Sequence, residues 1–314
     1  MSDDTNRLNY SGLNFSVMPE RSRLFCLEPM GVGTSQMECL SSYVCRLTDA
    51  HLIDFEFLMD KEFRPRMGKN NKLTEFFSES AVLNTSWLIE GLSCHYHIPE
   101  MGKIYTKQHK QATKGFIQVL EALTMRQNLD QLTAMPLEVI APTSGLLKGK
   151  LAWCPTCLEE WKQEGSAIYL PLLWSIKNVV VCPRHKQPLR EVCPNCGSKQ
   201  PLLPSRDGLG HCFNCGEWLG GNGDVPLYYK LQEIRVKEHL ERHLSAAIAI
   251  EELLVAIAQS EKVGPRSQIK KRVLKNIKEL HVSRYQLSRK IGQEKRLNLN
   301  GLLEMSYGTK VSLC

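Results

Sequence analysis

The sequence predicts a mainly α-helical protein that is interrupted by a segment of small β ribbons. Apolar residues recur at helical spacing between residues 40 and 132 and again from residue 228 onward, which predicts amphipathic helices in both regions. Between these regions, residues 151–226 form short segments punctuated by Gly, Pro and paired cysteines. A chain of 314 residues with 42% hydrophobic content can bury the core that this architecture needs.

The N-terminal helical region is predicted to begin at a capping box. Ser35 and Glu38 have the spacing at which a serine hydroxyl and a glutamate carboxylate satisfy backbone N–H groups at the start of a helix. A second helix is expected over residues 114–123 and a short one around residues 129–132, before two prolines stop the pattern. The apolar stripe of the first helix comprises Leu40, Tyr43, Val44 and Leu47.

These patterns divide the chain into four segments. The predicted segments are an irregular N-terminal arm (1–34), an N-terminal helical domain (35–150), a cysteine-rich ribbon module (151–226) and a C-terminal basic helical region (227–314). No run of about 18 apolar residues occurs, and the polar N-terminus lacks the layout of a secretory signal. We therefore expect a cytoplasmic protein with no membrane association.

The ribbon module carries metal-ligand residues in pairs, each pair separated by two residues. A reducing compartment disfavours disulfides among the 12 cysteines, so the pairs indicate metal binding. Four pairs supply two tetrahedral sites, and four protein donors per ion favour structural over catalytic zinc. We therefore predict two structural Zn²⁺ ions in a tandem zinc-ribbon module. The pairs are Cys154 with Cys157, Cys182 with His185, Cys193 with Cys196, and Cys212 with Cys215.

Two arrangements of the four pairs remain open at this point. In the sequential one, the first two pairs share one ion and the last two pairs share the other. In the interleaved one, the first pair joins the third and the second joins the fourth. The sequential arrangement is favoured, because the separation of the last two pairs suits a ribbon.

Positive charge is concentrated near the C-terminus. Residues 262–296 contain twelve Lys or Arg and two Glu, whereas the whole chain carries only +7, so the remaining residues are net acidic. Such a basic segment suits a polyanion. Ser288 and Gly292 match part of a helix-turn-helix, which would make residues 293–305 a recognition helix. The candidate nucleic-acid contacts are Lys270, Lys271, Arg272, Arg284, Arg289, Lys290, Lys295 and Arg296.

Catalytic signatures are missing from the sequence. It contains no phosphate-binding loop, no dinucleotide fingerprint and no nucleophile elbow. We therefore expect a binding protein and not an enzyme. One candidate function is a zinc-ribbon transcription regulator that binds promoter DNA.

Several sequence blocks surround and include the paired-cysteine motifs. They are Glu38-Cys-Leu-Ser-Ser-Tyr-Val-Cys-Arg-Leu47, Leu123-Thr124, Leu132-Thr133, Trp153-Cys-Pro-Thr-Cys-Leu158, Tyr169-Leu-Pro-Leu-Leu-Trp174, Cys182-Pro-Arg-His185 and Cys193-Pro-Asn-Cys-Gly197. Together they resemble the TniQ/TnsD family of target-selection proteins from CRISPR-associated and related transposons, and the resemblance covers roughly residues 25–220.

The resemblance implies a non-enzymatic adaptor in transposition. Such an adaptor links a target mark to a TnsC-like AAA+ ATPase regulator, which in turn brings the transposase to the site. The mark would be either a Cascade-type CRISPR effector or a specific DNA attachment site, and the sequence does not separate the two. It does not fix the oligomeric state either, and a homodimer is compatible with it.

Overall fold

The computed structural model describes residues 21–66, 102–135, 137, 146–202, 208–221, 223 and 227–260. Helices dominate these residues and strands are few, which confirms the predicted mainly α character. The helices are α1 (Leu40–His51), α2 (Phe55–Leu58), α3 (Gly102–Thr124), α4 (Pro155–Gln163), α5 (Leu172–Ser175), α6 (Leu227–Glu238) and α7 (Leu240–Ser260). A π-helical turn spans Met59–Phe63, a 3-10 turn spans Leu129–Leu132, and β1 (Val181–Cys182) pairs antiparallel with β2 (Gln187–Pro188).

The first helix begins later than the capping box predicts. Helix α1 starts at Leu40, and Ser35 lies in a turn before it. The predicted box is wrong because the Glu38 carboxylate is fully buried and serves other donors. It accepts hydrogen bonds from the Ser42 hydroxyl and from the Arg46 guanidinium, both at 2.7 Å. The Glu38 side chain therefore links the residues before α1 to the first two turns of that helix.

The helical region has one apolar core. The predicted stripe of α1 is confirmed, because all four of its residues are at most 1% exposed. From the neighbouring elements, Phe63 of the π-helical turn stacks on Phe116 of α3 with ring centroids 4.4 Å apart. The 3-10 turn covers the end of this core with Leu129 and Leu132, both fully buried.

The same core continues into the cysteine-rich module. The backbone N–H of Cys39 donates to Leu170 at 2.9 Å, and the N–H of Leu172 donates to Met37 at 2.7 Å. Within the module, the Trp161 ring stacks with those of Tyr169 and Trp174, with centroids 4.7 and 5.8 Å away. All three aromatic side chains belong to one buried cluster with the stripe of α1. The hydrophobic core therefore crosses the predicted domain boundary at residue 150.

After the ribbons, the helical periodicity that begins at residue 228 corresponds to two consecutive helices. Helix α6 ends at Glu238 and α7 begins at Leu240, with His239 in a turn between them. Helix α7 buries its apolar face against β1 and α5, whereas α6 lies beside β2. None of the helices described here has the length and apolarity needed to cross a membrane. The predicted helix-turn-helix and all eight candidate nucleic-acid contacts lie outside the described residues.

Candidate metal centres

Two groups of metal-ligand side chains come together in the described part of the chain. Within each group, the donor atoms all lie within 4.8 Å of one another. The structure thus shows the sequential arrangement of the four pairs and not the interleaved one. Site 1 consists of Cys154, Cys157, Cys182 and His185, and site 2 of Cys193, Cys196, Cys212 and Cys215.

The first pair of site 1 stands at the start of a helix. Cys154 is the N-cap of α4, and Pro155 occupies the first helical position, where its missing N–H costs no hydrogen bond. Cys157 follows in the first turn. Unpaired N–H groups and the positive end of the helix dipole both favour thiolates at this location. The local sequence therefore brings both cysteine donors of this pair to the positive end of one helix.

The other three pairs lie in tight turns that share one backbone device. The residue after the last ligand has a positive φ in each turn, with values of 50° at Lys186, 71° at Gly197 and 72° at Gly216. Each of these residues donates its N–H to the carbonyl of the first cysteine of its pair, at 2.8 to 2.9 Å. Glycine adopts this conformation without strain, whereas a side chain does so at a cost.

Short antiparallel pairings hold each turn in place. In site 1, Cys182 of β1 pairs with Gln187 of β2. In site 2, the N–H of Cys193 donates to Ser198 at 2.9 Å, and the N–H of Cys212 donates to Glu217 at 2.8 Å. These three hairpins are the small β ribbons that the paired cysteines predict.

The distances fit a tetrahedral zinc ion. Zn–S bonds of about 2.3 Å hold neighbouring sulfurs about 3.8 Å apart. In site 1, the Cys157 and Cys182 sulfurs are 3.8 Å apart, and the Nδ1 atom of His185 lies 3.2 Å from the Cys157 sulfur. In site 2, two sulfur pairs are 3.7 and 3.6 Å apart. Soft thiolates in this geometry suit zinc better than a hard cation such as Mg²⁺ or Ca²⁺.

A glutamate that the sequence interpretation missed orients the histidine ligand. The Nδ1 atom of His185 faces the sulfurs of site 1, and its Nε2 atom lies 2.9 Å from the Glu160 carboxylate. Arg184 forms an ion pair with the same carboxylate at 2.7 Å. Carboxylates bonded to ligating histidines fix the ring and its tautomer. The sequence feature that could have identified Glu160 is its position, three residues after Cys157 on the same helix.

Two glutamines donate hydrogen bonds to ligand sulfurs. The side-chain amide of Gln187 donates to the Cys154 sulfur at 3.0 Å, and that of Gln200 donates to the Cys212 sulfur at 3.2 Å. Gln200 is 1% exposed, and its carbonyl oxygen accepts from the backbone N–H of Phe213 at 2.7 Å. These donors disperse thiolate charge. No motif in the sequence identifies them.

Hydrogen bonds between the thiols of site 1 shift their pKa values in opposite directions. The hydrogen bonds of Cys157 and Cys182 to Cys154 hold the pKa of the Cys154 thiol well below its usual value. The hydrogen bond to Cys154 raises the pKa of the Cys157 thiol in turn. A divalent cation takes the place of the retained protons, so we expect metal binding to release protons and to weaken at low pH.

A tryptophan clamps the second ribbon onto the first site. The indole N–H of Trp218 donates to Glu159 of α4 at 2.8 Å, and the Lys162 ammonium lies 4.6 Å from the centroid of its ring. Gly210 and Gly220 line the slot of this indole so closely that a Cβ on either would clash with the ring. The second ribbon therefore packs directly on the helix that carries the first two ligands of site 1.

The comparison with known families covers the first metal site of the module but not the second. The TniQ family model matches residues 29–189, a segment that begins before α1, includes all of site 1 and ends before site 2. No curated protein matches the chain. Because the match spans more than half of the 314 residues, this chain belongs to the TniQ family, which is associated with the selection of transposition targets.

Proposed function

We propose that this chain is a non-enzymatic adaptor that selects target sites for transposition. It links a target mark to an AAA+ ATPase regulator, and the regulator recruits the transposase. The observation that carries the proposal is the TniQ match over residues 29–189, which includes the helical core and site 1 together. Family membership supports the role in target selection, and the partners are the part that we add.

Two structural zinc ions are part of this proposal. Each site offers four protein donors, which leaves no open coordination position for a substrate or a catalytic water. The role of the ions would be to fix the ribbons and the helical core as one rigid body. A rigid body of this kind suits a protein that must hold two partners in a defined relative orientation.

An insertion assay in cells tests the proposal. The transposition genes that accompany this gene are expressed with and without it, and insertion sites are mapped by sequencing. We expect insertions at the preferred target to fall sharply without the chain, while the transposase and the ATPase regulator remain present. An unchanged pattern of insertion sites would refute the proposed role. A control without the transposase gives the background level of apparent insertion.

Gel shifts with the purified chain separate the two kinds of target mark. The probes are a duplex that carries the preferred insertion region and a shuffled duplex of equal length. Specific binding to the first duplex supports direct recognition of DNA. Equal binding to both, together with pull-down by an RNA-guided effector, supports docking on that effector. Specific binding to a promoter, combined with unchanged insertion, would favour the transcription regulator instead.

A further inference from the structure

The two metal centres differ in how their sulfurs meet solvent. In site 1, Cys154, Cys157 and Cys182 are 0%, 1% and 1% exposed. In site 2, Cys193 and Cys212 are buried as well, but Cys196 and Cys215 are exposed. A small oxidant can therefore approach Cys196 and Cys215 of site 2 while the protein stays folded, whereas the cysteines of site 1 are covered.

The chemistry of the donors adds to this difference in access. Three thiolates around a divalent ion leave one excess negative charge, and four thiolates leave two. The more electron-rich set is also the exposed one. Because oxidation of cysteine follows thiolate character and accessibility, both properties favour site 2 as the first point of attack.

Within site 2, Cys215 combines exposure with weak protection and a nearby partner. Its sulfur accepts a hydrogen bond from the exposed Asn195 amide at 3.6 Å, whereas the buried Cys212 sulfur accepts from Gln200 at the shorter distance of 3.2 Å. The sulfur of Cys193 lies 3.7 Å from that of Cys215. A second thiolate is thus in place to react with an oxidised Cys215.

We propose that site 2 is an oxidation site, at which a peroxide converts Cys215 and Cys193 into a disulfide and the metal leaves, while site 1 keeps its metal. In the first step, the Cys215 thiolate attacks hydrogen peroxide, which gives a sulfenic acid and hydroxide. In the second step, the Cys193 thiolate attacks that sulfenic sulfur, which forms the S–S bond and expels a second hydroxide. The two thiolates supply the two electrons that reduce the peroxide, and the loss of two donors releases the ion.

The structural consequence would be confined to the second ribbon. The turns that carry its four ligands would lose their common ion, whereas the first ribbon would keep its ion at site 1. Both ribbons contribute residues to the core shared with α1, so the second ribbon keeps its buried contacts. The Trp218 indole on Glu159 is one of the contacts that would hold the loosened ribbon near α4. The change is therefore expected to be local and reversible.

Peroxide treatment of the full zinc-loaded chain tests this proposal. Released zinc is followed with a chromogenic chelator, free thiols are then alkylated, and peptides are mapped by mass spectrometry under non-reducing conditions. We expect one ion to leave at least about tenfold faster than the other, together with a disulfide between Cys193 and Cys215. Dithiothreitol and zinc should reverse the change. The proposal is overturned if both ions leave together, if site 1 cysteines oxidise first, or if the disulfide joins another pair.

A matched pair of variants separates the chemistry from a general loss of stability. Cys215→His keeps a zinc donor at the exposed corner but removes the sulfur, so the fast phase should disappear while both ions stay bound. Cys26→Ser removes an exposed cysteine outside both sites and should leave the fast phase unchanged. A fast phase that persists in Cys215→His would contradict the assignment. If that variant does not retain the second ion, the peptide map of the unmodified chain decides the question.

Discussion

Replacing Lys186 with glycine is expected to stabilise this protein. Lys186 follows the last ligand of its turn with φ of 50°, a conformation that residues other than glycine seldom adopt. Gly197 and Gly216 occupy the equivalent position in the turns of site 2. In each turn the same backbone hydrogen bond closes the loop. The turn of site 1 therefore carries a strain that the other two turns avoid.

The size of the effect follows from two opposing terms. Relief of the left-handed conformation contributes roughly 1–2 kcal/mol, and the greater freedom of glycine in the unfolded chain offsets about 0.5–1 kcal/mol of it. The lysine side chain is exposed, so its removal costs little packing. We expect a net gain of about 0.5–1 kcal/mol in the free energy of unfolding. For a chain of this size, that gain corresponds to about 1–3 °C in Tm.

Thermal and urea unfolding of the zinc-loaded chain measure this gain. Lys186→Ala is the matched control, because it removes the same side chain but keeps a Cβ in the strained conformation, and it should bring no gain. Gly197→Ala is the converse change and should lower the free energy of unfolding by about 1 kcal/mol. The reasoning is refuted if Lys186→Gly destabilises the protein or if it behaves like Lys186→Ala.

Two further predictions concern charged side chains. The hydrogen bond from Arg23 lowers the pKa of Glu62 below its usual 4.5, so this carboxylate adds stability above that pH and loses its contribution as the pH falls through the folded pKa. In Glu62→Gln, the free energy of unfolding should therefore vary less across the acidic range, and parallel pH profiles would contradict this. Replacing both Arg289 and Lys290 with glutamine should weaken DNA binding and reduce its salt slope by about one unit per lost contact. An unchanged slope in gel shifts would show that this basic segment is only solvated.

The elements that the sequence predicts well are those set by local patterns. The apolar stripe of α1 recurs at helical spacing, and the stripe is fully buried in the structure. The paired cysteines likewise define both metal sites, because a two-residue spacing and a tight turn are local properties. Features that depend only on residues close together in the sequence could therefore be predicted.

The features that were missed depend on contacts across the chain. Glu38 has the spacing of a capping residue, but its buried carboxylate accepts hydrogen bonds from Arg46 and from the Ser42 hydroxyl instead. Likewise, Gln200 donates a hydrogen bond to a ligand sulfur only because folding places its side chain beside Cys212. The core shared between the helical region and the ribbons joins residues more than 100 positions apart, as in the hydrogen bond from the Leu170 N–H to the Ser42 hydroxyl. Periodicity and spacing carry no information on such contacts.

The unequal integration of the two metal sites leads to a last prediction. Both sites contribute ligands to the buried cluster that also contains α1, but all three cysteines of site 1 are buried, whereas two of the four ligands of site 2 are exposed. Loss of a structural zinc ligand removes several kcal/mol of folding free energy. Cys157→Ser should therefore unfold the shared core, and Cys196→Ser should release one ion but leave a cooperative unfolding transition.

Zinc content and calorimetry of both variants measure the difference. Equal loss of the transition in both would show that the two ribbons fold as one unit, and full zinc content with an unchanged Tm in Cys157→Ser would show that site 1 does not stabilise the core.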